Sequence, residues 1–222
     1  VGKFEPDEIV ENLGGNGLAF LFKGKESGPT LLFRSELDAL PIDEINDFEH
    51  RSKFKNVGHK CGHDGHMAIL SGFAEALRKS EIKKGRIVLL FQPAEETGEG
   101  AEWILNDPNF EGLQPDYVVA LHNLPGFPLH SIITKDEHFA SASKGMIIKL
   151  TGKTSHAAEP ENGVSPAFAV SDLIKYLTNL PKTTEGLKDF SLVTLININL
   201  GERAFGTSPG YAEVMATLRS YR

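Results

Sequence analysis

The chain has 222 residues, 40% hydrophobic and 24% charged, a composition that builds a buried core and excludes a disordered tail. Its 23 Lys and Arg against 30 Asp and Glu leave a net charge of −7 with no basic run, which argues against nucleic acid as a partner. The longest apolar runs are about five residues where a membrane span needs roughly 20, and the lone cysteine, Cys61, excludes an intramolecular disulfide framework.

Residues 17–23 (GLAFLFK) and 30–37 read as two strands joined by a Gly/Ser/Pro turn, a hairpin-like start. From Asp64 onward, Met67, Leu70, Phe73, Ala74 and Leu77 recur at spacings of three and four, which predicts an amphipathic helix ending near Lys79 and Ser80. Residues 86–91 and 116–121 are continuous apolar runs, the pattern of strands covered on both faces, and a helical stretch at 100–106 lies between them. Strand, helix, strand predicts a parallel sheet in an α/β layer. Near Ala142 the pattern changes: Met146, Ile148 and Leu150 alternate with Ile147, Lys149 and Thr151 as in a half-exposed strand. A helix at 164–180 and strands at 192–200 and 213–218 follow, so a second, smaller α+β domain with an antiparallel sheet is expected. The expected division is 1–141 and 142–222. With no signal-like apolar segment, the chain reads as a soluble, cytoplasmic protein whose true start lies upstream of Val1.

The densest chemistry is at 58–66 (GHKCGHDGH), one thiol, three imidazoles and a carboxylate in nine residues. Cys61 and His63 sit one glycine apart just ahead of the predicted helix, where the helix N-terminus and a cation both favour thiolate. Thiolate and imidazole suit zinc or a neighbouring transition metal better than magnesium or calcium. The alternative for this segment is a structural loop with a small core cysteine. Glu95 and Glu96 in QPAEE follow the strand at 86–91, where ligands of open α/β sheets collect, and two carboxylates there divide labour between metal ligand and general base. His122 repeats that placement after 116–121, and Glu36 and Asp38 follow 30–37, either as ligands or as carboxylates orienting an imidazole. His156 lies on a loop after a strand in the second domain. His50, His130 and His138 have no convergent partners in sequence and read as surface residues.

Taken in order, SELDALPI, GHKCGHDGH, FQPAEETGEGA, ALHNLP and GKTSHAAEP resemble the aminoacylase and hippurate hydrolase group of metal-dependent amidohydrolases, which includes the plant auxin-conjugate hydrolases. The resemblance spans about residues 31–219. It implies an α/β metallopeptidase catalytic domain holding two divalent transition-metal ions, zinc first, with manganese, cobalt or nickel as alternatives. It also implies an inserted α+β lid domain through which the protein dimerises. Residue by residue, the resemblance makes Cys61 a bridging metal ligand and His63, Glu96 and His122 further ligands. Glu95 becomes the general base that takes a proton from metal-bound water and returns it to the leaving amine. His156 matches the lid histidine that reaches a neighbour's site in family dimers and stabilises the oxyanion. Asp38 matches the acid that buttresses the metals, and Glu36 stands where the closest relatives usually carry Asp. The implied substrate is a small-molecule N-acyl amino acid or a dipeptide-like compound.

Two departures accompany the match. The family's final metal-ligating histidine follows the lid, whereas this sequence stops at Arg222 inside the expected lid, so a fragment or a truncated remnant is expected. The family's lid also tends to carry an Asn and an Ile before a Pro, where this chain reads Phe205, Gly206, Thr207, Ser208, Pro209. Two other functions stay open at this level: a non-catalytic metal-binding or dimerisation module, and a thiol hydrolase with Cys61 as nucleophile.

Overall fold

The computed structural model describes residues 1–136, 139–180 and 190–221, so His138 lies outside the described residues. The chain forms two compact units, Val1–Leu129 and His130–Arg222.

The first unit is built from β1 (Glu8–Leu13), β2 (Gly17–Lys23), β3 (Glu26–Glu36), α1 (His63–Arg78), β4 (Lys84–Gln92), α2 (Gly100–Leu105) and β5 (Tyr117–Ala120). Its sheet has the order β1-β2-β4-β3-β5. β4, β3 and β5 run parallel, as expected for strands linked by helices, while β2 is antiparallel to β4 and β1 to β2. Successive residues of β4 point to opposite faces. Leu89 and Phe91 pack with Phe20, Phe22 and the Leu70, Ala74 and Leu77 stripe of α1. Val88 and Leu90 face the other way, toward Leu13, Leu21, Ile104, Phe110 and Leu113. The three-and-four spacing of α1 is thus satisfied by one side of the sheet, and each fully buried Leu there contributes roughly 1.5–3 kcal/mol.

Two sequence expectations change, and one strand had gone unread. The hairpin of 17–23 with 30–37 does not form, because β4 inserts between β2 and β3 and pairs with both. Its run from Val88 to Phe91, like Ala19–Phe22 of β2, is apolar throughout and buries side chains on both faces of the sheet, as interior strands do. β1 went unread because its side chains are mostly exposed at the sheet edge and show no apolar alternation. β5 was expected to be covered on both faces, yet Tyr117–Ala120 is exposed along its whole length at the opposite edge, with β3 as its partner among the described residues.

The second unit comprises β6 (Ala142–Thr151), β7 (Ser155–His156), α3 (Ala167–Thr178), β8 (Ser191–Leu200), β9 (Thr207–Ser208) and β10 (Tyr211–Ser220). β10 is the centre of an antiparallel sheet ordered β6-β10-β8, and β7 pairs with β9. α3 starts after Pro166, later than the apolar spacing suggested, because proline's fixed φ and missing N–H suit a helix start. Its Val170 and Leu177 bury one sheet face against Ala212, Val214 and Ala216, while Ile147 and Ile196 stay exposed. Among the described residues no helix is long and apolar enough to cross a membrane.

Candidate metal centre

The parallel strands bring their carboxyl ends to one edge. Glu36, the last residue of β3, lies opposite Gln92, the last of β4, and Arg34 lies opposite Ala120, the last of β5. Residues just beyond each strand therefore converge: Asp38 after β3, Glu95 and Glu96 after β4, and His122 after β5. α1 enters the same edge with His63 as its first residue. Gly62 caps it at φ 95°, a left-handed conformation that disfavours side chains, and a Cβ there would lie 2.8 Å from Asn123 Oδ1. Ala94 also takes a positive φ of 50°, so the turn that presents Glu95 and Glu96 holds local backbone strain.

The donor atoms form overlapping sets. Cys61, His63 and His122 offer atoms all within 4.8 Å of one another, and so do His63, Glu95 and Glu96. Cys61 Sγ is 3.4 Å from His122 Nε2, and His63 Nε2 is 3.6 Å from Glu95 and 3.8 Å from Glu96. His63 is fully buried; its Nδ1–H donates to the Asp38 backbone carbonyl at 2.8 Å, and its Nε2 has no hydrogen-bond partner. Unpaired buried nitrogens of this kind are costly, and a cation among these acids satisfies the lone pair. The Asp38 carboxylate accepts the Glu96 N–H at 2.9 Å, tying the Glu95–Glu96 turn to β3.

The electrostatics point the same way. Burial pushes the Cys61 thiol up to about 11, helped by Glu96, Glu95 and Glu36. Of the two influences expected to favour thiolate, the helix N-terminus is outweighed by these carboxylates, and the proton stays on sulfur until a cation displaces it. Burial opposes charge on Glu36, but the hydrogen bond from His66 and the Arg34 guanidinium hold it below the usual carboxylate range. Burial likewise opposes charge on Asp38, and the N–H groups of Glu96 and Glu95 outweigh it.

Of the residues singled out from sequence, the structure gathers Glu36, Asp38, Cys61, His63, Glu95, Glu96 and His122 at this edge. His156 belongs to the second unit, exposed on β7, where its Nδ1 accepts the Ala158 N–H at 3.1 Å. His50 and His130 are exposed. Two participants had no assigned place. His66 is buried with Nδ1 2.8 Å from Glu36, and Asn123 meets its Nε2. The signal for His66 was present, since it follows His63 by three residues and so shares its helix face. Asn123 read only as a strand stop, and nothing local marks its contact with a helix 57 residues away.

The profile of peptidase family M20/M25/M40 matches residues 32–210. The chain is 34% identical over 199 residues to N-acetyl-L-cysteine deacetylase of Bacillus subtilis, an alignment covering 89% of this chain and 47% of that protein. It is 31% identical over 213 residues to hippurate hydrolase of Campylobacter jejuni, covering 96% and 55%. Among solved structures it resembles a Bacillus subtilis protein whose crystal structure is described as a dinuclear metal-binding peptidase of the M20 family, with a TM-score of 0.72, 28% identity and coverage of 97% and 54%. The chain thus spans about half the length of the curated relatives it matches.

Proposed function

The chain belongs to peptidase family M20/M25/M40, and from that premise we propose that it carries most of the metal centre of an amidohydrolase that cleaves the amide bond of N-acyl amino acids or small dipeptide-like substrates. The observation that carries this reading is the buried, partnerless Nε2 of His63 facing Glu95 and Glu96 beside the Cys61–His122 pair. Cys61, His63, Glu96 and His122 would hold two divalent transition-metal ions, and the sulfur and imidazole donors favour zinc. When bound, such ions lower the pKa of water toward about 7 and polarise the scissile carbonyl.

The chain's own residues do the rest. Glu95, more exposed than His63 and aimed at the same Nε2, takes a proton from the attacking water and delivers it to the nitrogen of the leaving amine. The water oxygen bonds to the carbonyl carbon and the C=O π pair moves onto oxygen; return of that pair breaks the carbon–nitrogen bond as the nitrogen takes up the proton. Asp38 holds His63 through its backbone carbonyl and Glu96 through its carboxylate. The second unit is read as the lid, with a homodimer formed through it in which His156 reaches the neighbouring subunit's site and stabilises the oxyanion. A nucleophilic role for Cys61 is disfavoured by a thiol pushed up to about 11, the opposite of what thiolate attack needs.

The test is metal content per chain by plasma mass spectrometry, with and without Cys61→Ser, followed by an assay against N-acetylated and N-benzoylated amino acids. About two ions per chain, lost in the Ser variant, is the expected result. A chain that takes up no transition metal after reconstitution refutes the assignment.

A further inference from the structure

We propose that Glu36, His66 and the backbone of Asn123 form a positioning chain that sets the proton and the orientation of His122, an inference that rests on the assignment of His122 to the metals. Glu36 and His66 are each 1% exposed, the most deeply buried acid and, with His63, one of two fully buried imidazoles among the described residues. The Glu36 carboxylate accepts from His66 Nδ1 at 2.8 Å, so the His66 proton sits on Nδ1. His66 Nε2 meets Asn123 twice at 2.9 Å, through the backbone N–H and through the side-chain Oδ1, so Asn123 is fixed against His66 whether that nitrogen carries a lone pair or a proton.

On the other side of the same residue, the Asn123 carbonyl lies 2.8 Å from His122 Nδ1. A carbonyl only accepts, so His122 too carries its proton on Nδ1 and turns the lone pair of Nε2 toward Cys61 Sγ, 3.4 Å away. One residue therefore joins both imidazoles, by its N–H to His66 and by its C=O to His122. The far end is anchored as well. Arg34 pairs with the other carboxylate oxygen of Glu36 and donates from Nε to Gln92 Oε1 at 2.9 Å, locking the chain onto β3 and β4. His122 is exposed, with its ring edge-on to His66 at 4.7 Å between centroids, and the hydrogen bond to Asn123 is what selects its tautomer. An imidazole free to move its proton to Nε2 would present N–H where a metal needs a lone pair.

The experiment uses the metal-free chain labelled with ¹⁵N at histidine, and long-range ¹⁵N–¹H correlation reads which ring nitrogen holds each proton. His122 is expected in the Nδ1–H form in the parent, and His66 with a proton on Nδ1, results that need no substitution. In Glu36→Gln, His122 loses its single tautomer, and cobalt(II) affinity, followed by the Cys61 sulfur-to-metal absorption band, falls about 10- to 100-fold. Glu36→Asp, which keeps a carboxylate at that position, restores both signals. A proton on Nε2 of His122 in the parent, or a Glu36→Gln chain with unchanged tautomer and cobalt affinity, overturns the proposal. Expected tautomers with no cobalt band in the parent refute the metal assignment instead and leave the positioning chain supported.

Discussion

In the first unit β4, β3 and β5 run in one direction, so the residues just beyond each of them arrive at a single edge. In the second, β6, β10 and β8 alternate in direction, and consecutive strand ends fall at opposite edges. The interiors differ accordingly. Among the described residues the buried polar residues, namely Thr30, Ser35, Glu36, His63, His66 and Gln92, all lie in the first unit, whereas the buried residues under α3 in the second are apolar and its half-buried Ser155 hides a hydroxyl oxygen. Each candidate metal-holding group found among the described residues also lies in the first unit. A parallel sheet concentrates polar groups at one end, where a site can draw on several strands at once; an antiparallel sheet with one helix spreads them along its exposed face.

The sharpest break of this comparison is chemical. Glu95→Gln is expected to lower amide hydrolysis by the metal-loaded protein about 100- to 10,000-fold while leaving metal content unchanged, measured by steady-state assay alongside mass spectrometry. Equal activity in the variant would remove Glu95 as the base. Next comes packing: Leu89→Ala and Leu177→Ala each remove a buried Leu and should cost about 2–5 kcal/mol in urea unfolding. If the units divide labour as described, Leu89→Ala also weakens metal uptake, and Leu177→Ala leaves it intact.

Gly62→Ala should cost about 1–3 kcal/mol, because φ 95° disfavours a side chain and the new Cβ meets the Asn123 amide. It should also reduce metal affinity, which separates it from a loop substitution far from the edge. The smallest effect concerns Asp107, whose carboxylate accepts the N–H groups of Gly14 and Asn109 and is held by them below its usual range. A depressed carboxyl stabilises the fold above its unfolded pKa, near 3.9, and that stabilisation is lost as pH falls through the folded value. Thermal unfolding of Asp107→Ala should therefore lie below the parent at neutral pH and converge with it in acid.

Sequence spacing alone was enough for the helix at α1, the parallel set of strands, the α+β character of the second unit, the positions of Glu95, Glu96 and His122 beyond strand ends and those of Cys61 and His63 at the start of α1. These follow from local rules: period 3.6 or 2, and the habit of parallel strands to collect ligands at their carboxyl ends. Strand order, the exposed β5, the joining of His66 to Asn123 and the raised thiol of Cys61 came from long-range packing. β4 and β2 both bury apolar side chains on two faces as interior strands, and no local pattern ranks one against the other for the centre of the sheet. The state of Cys61 depends on Glu96, Glu95 and Glu36, carboxylates that only the folded sheet brings near its sulfur, where burial and like charge together outweigh the helix end.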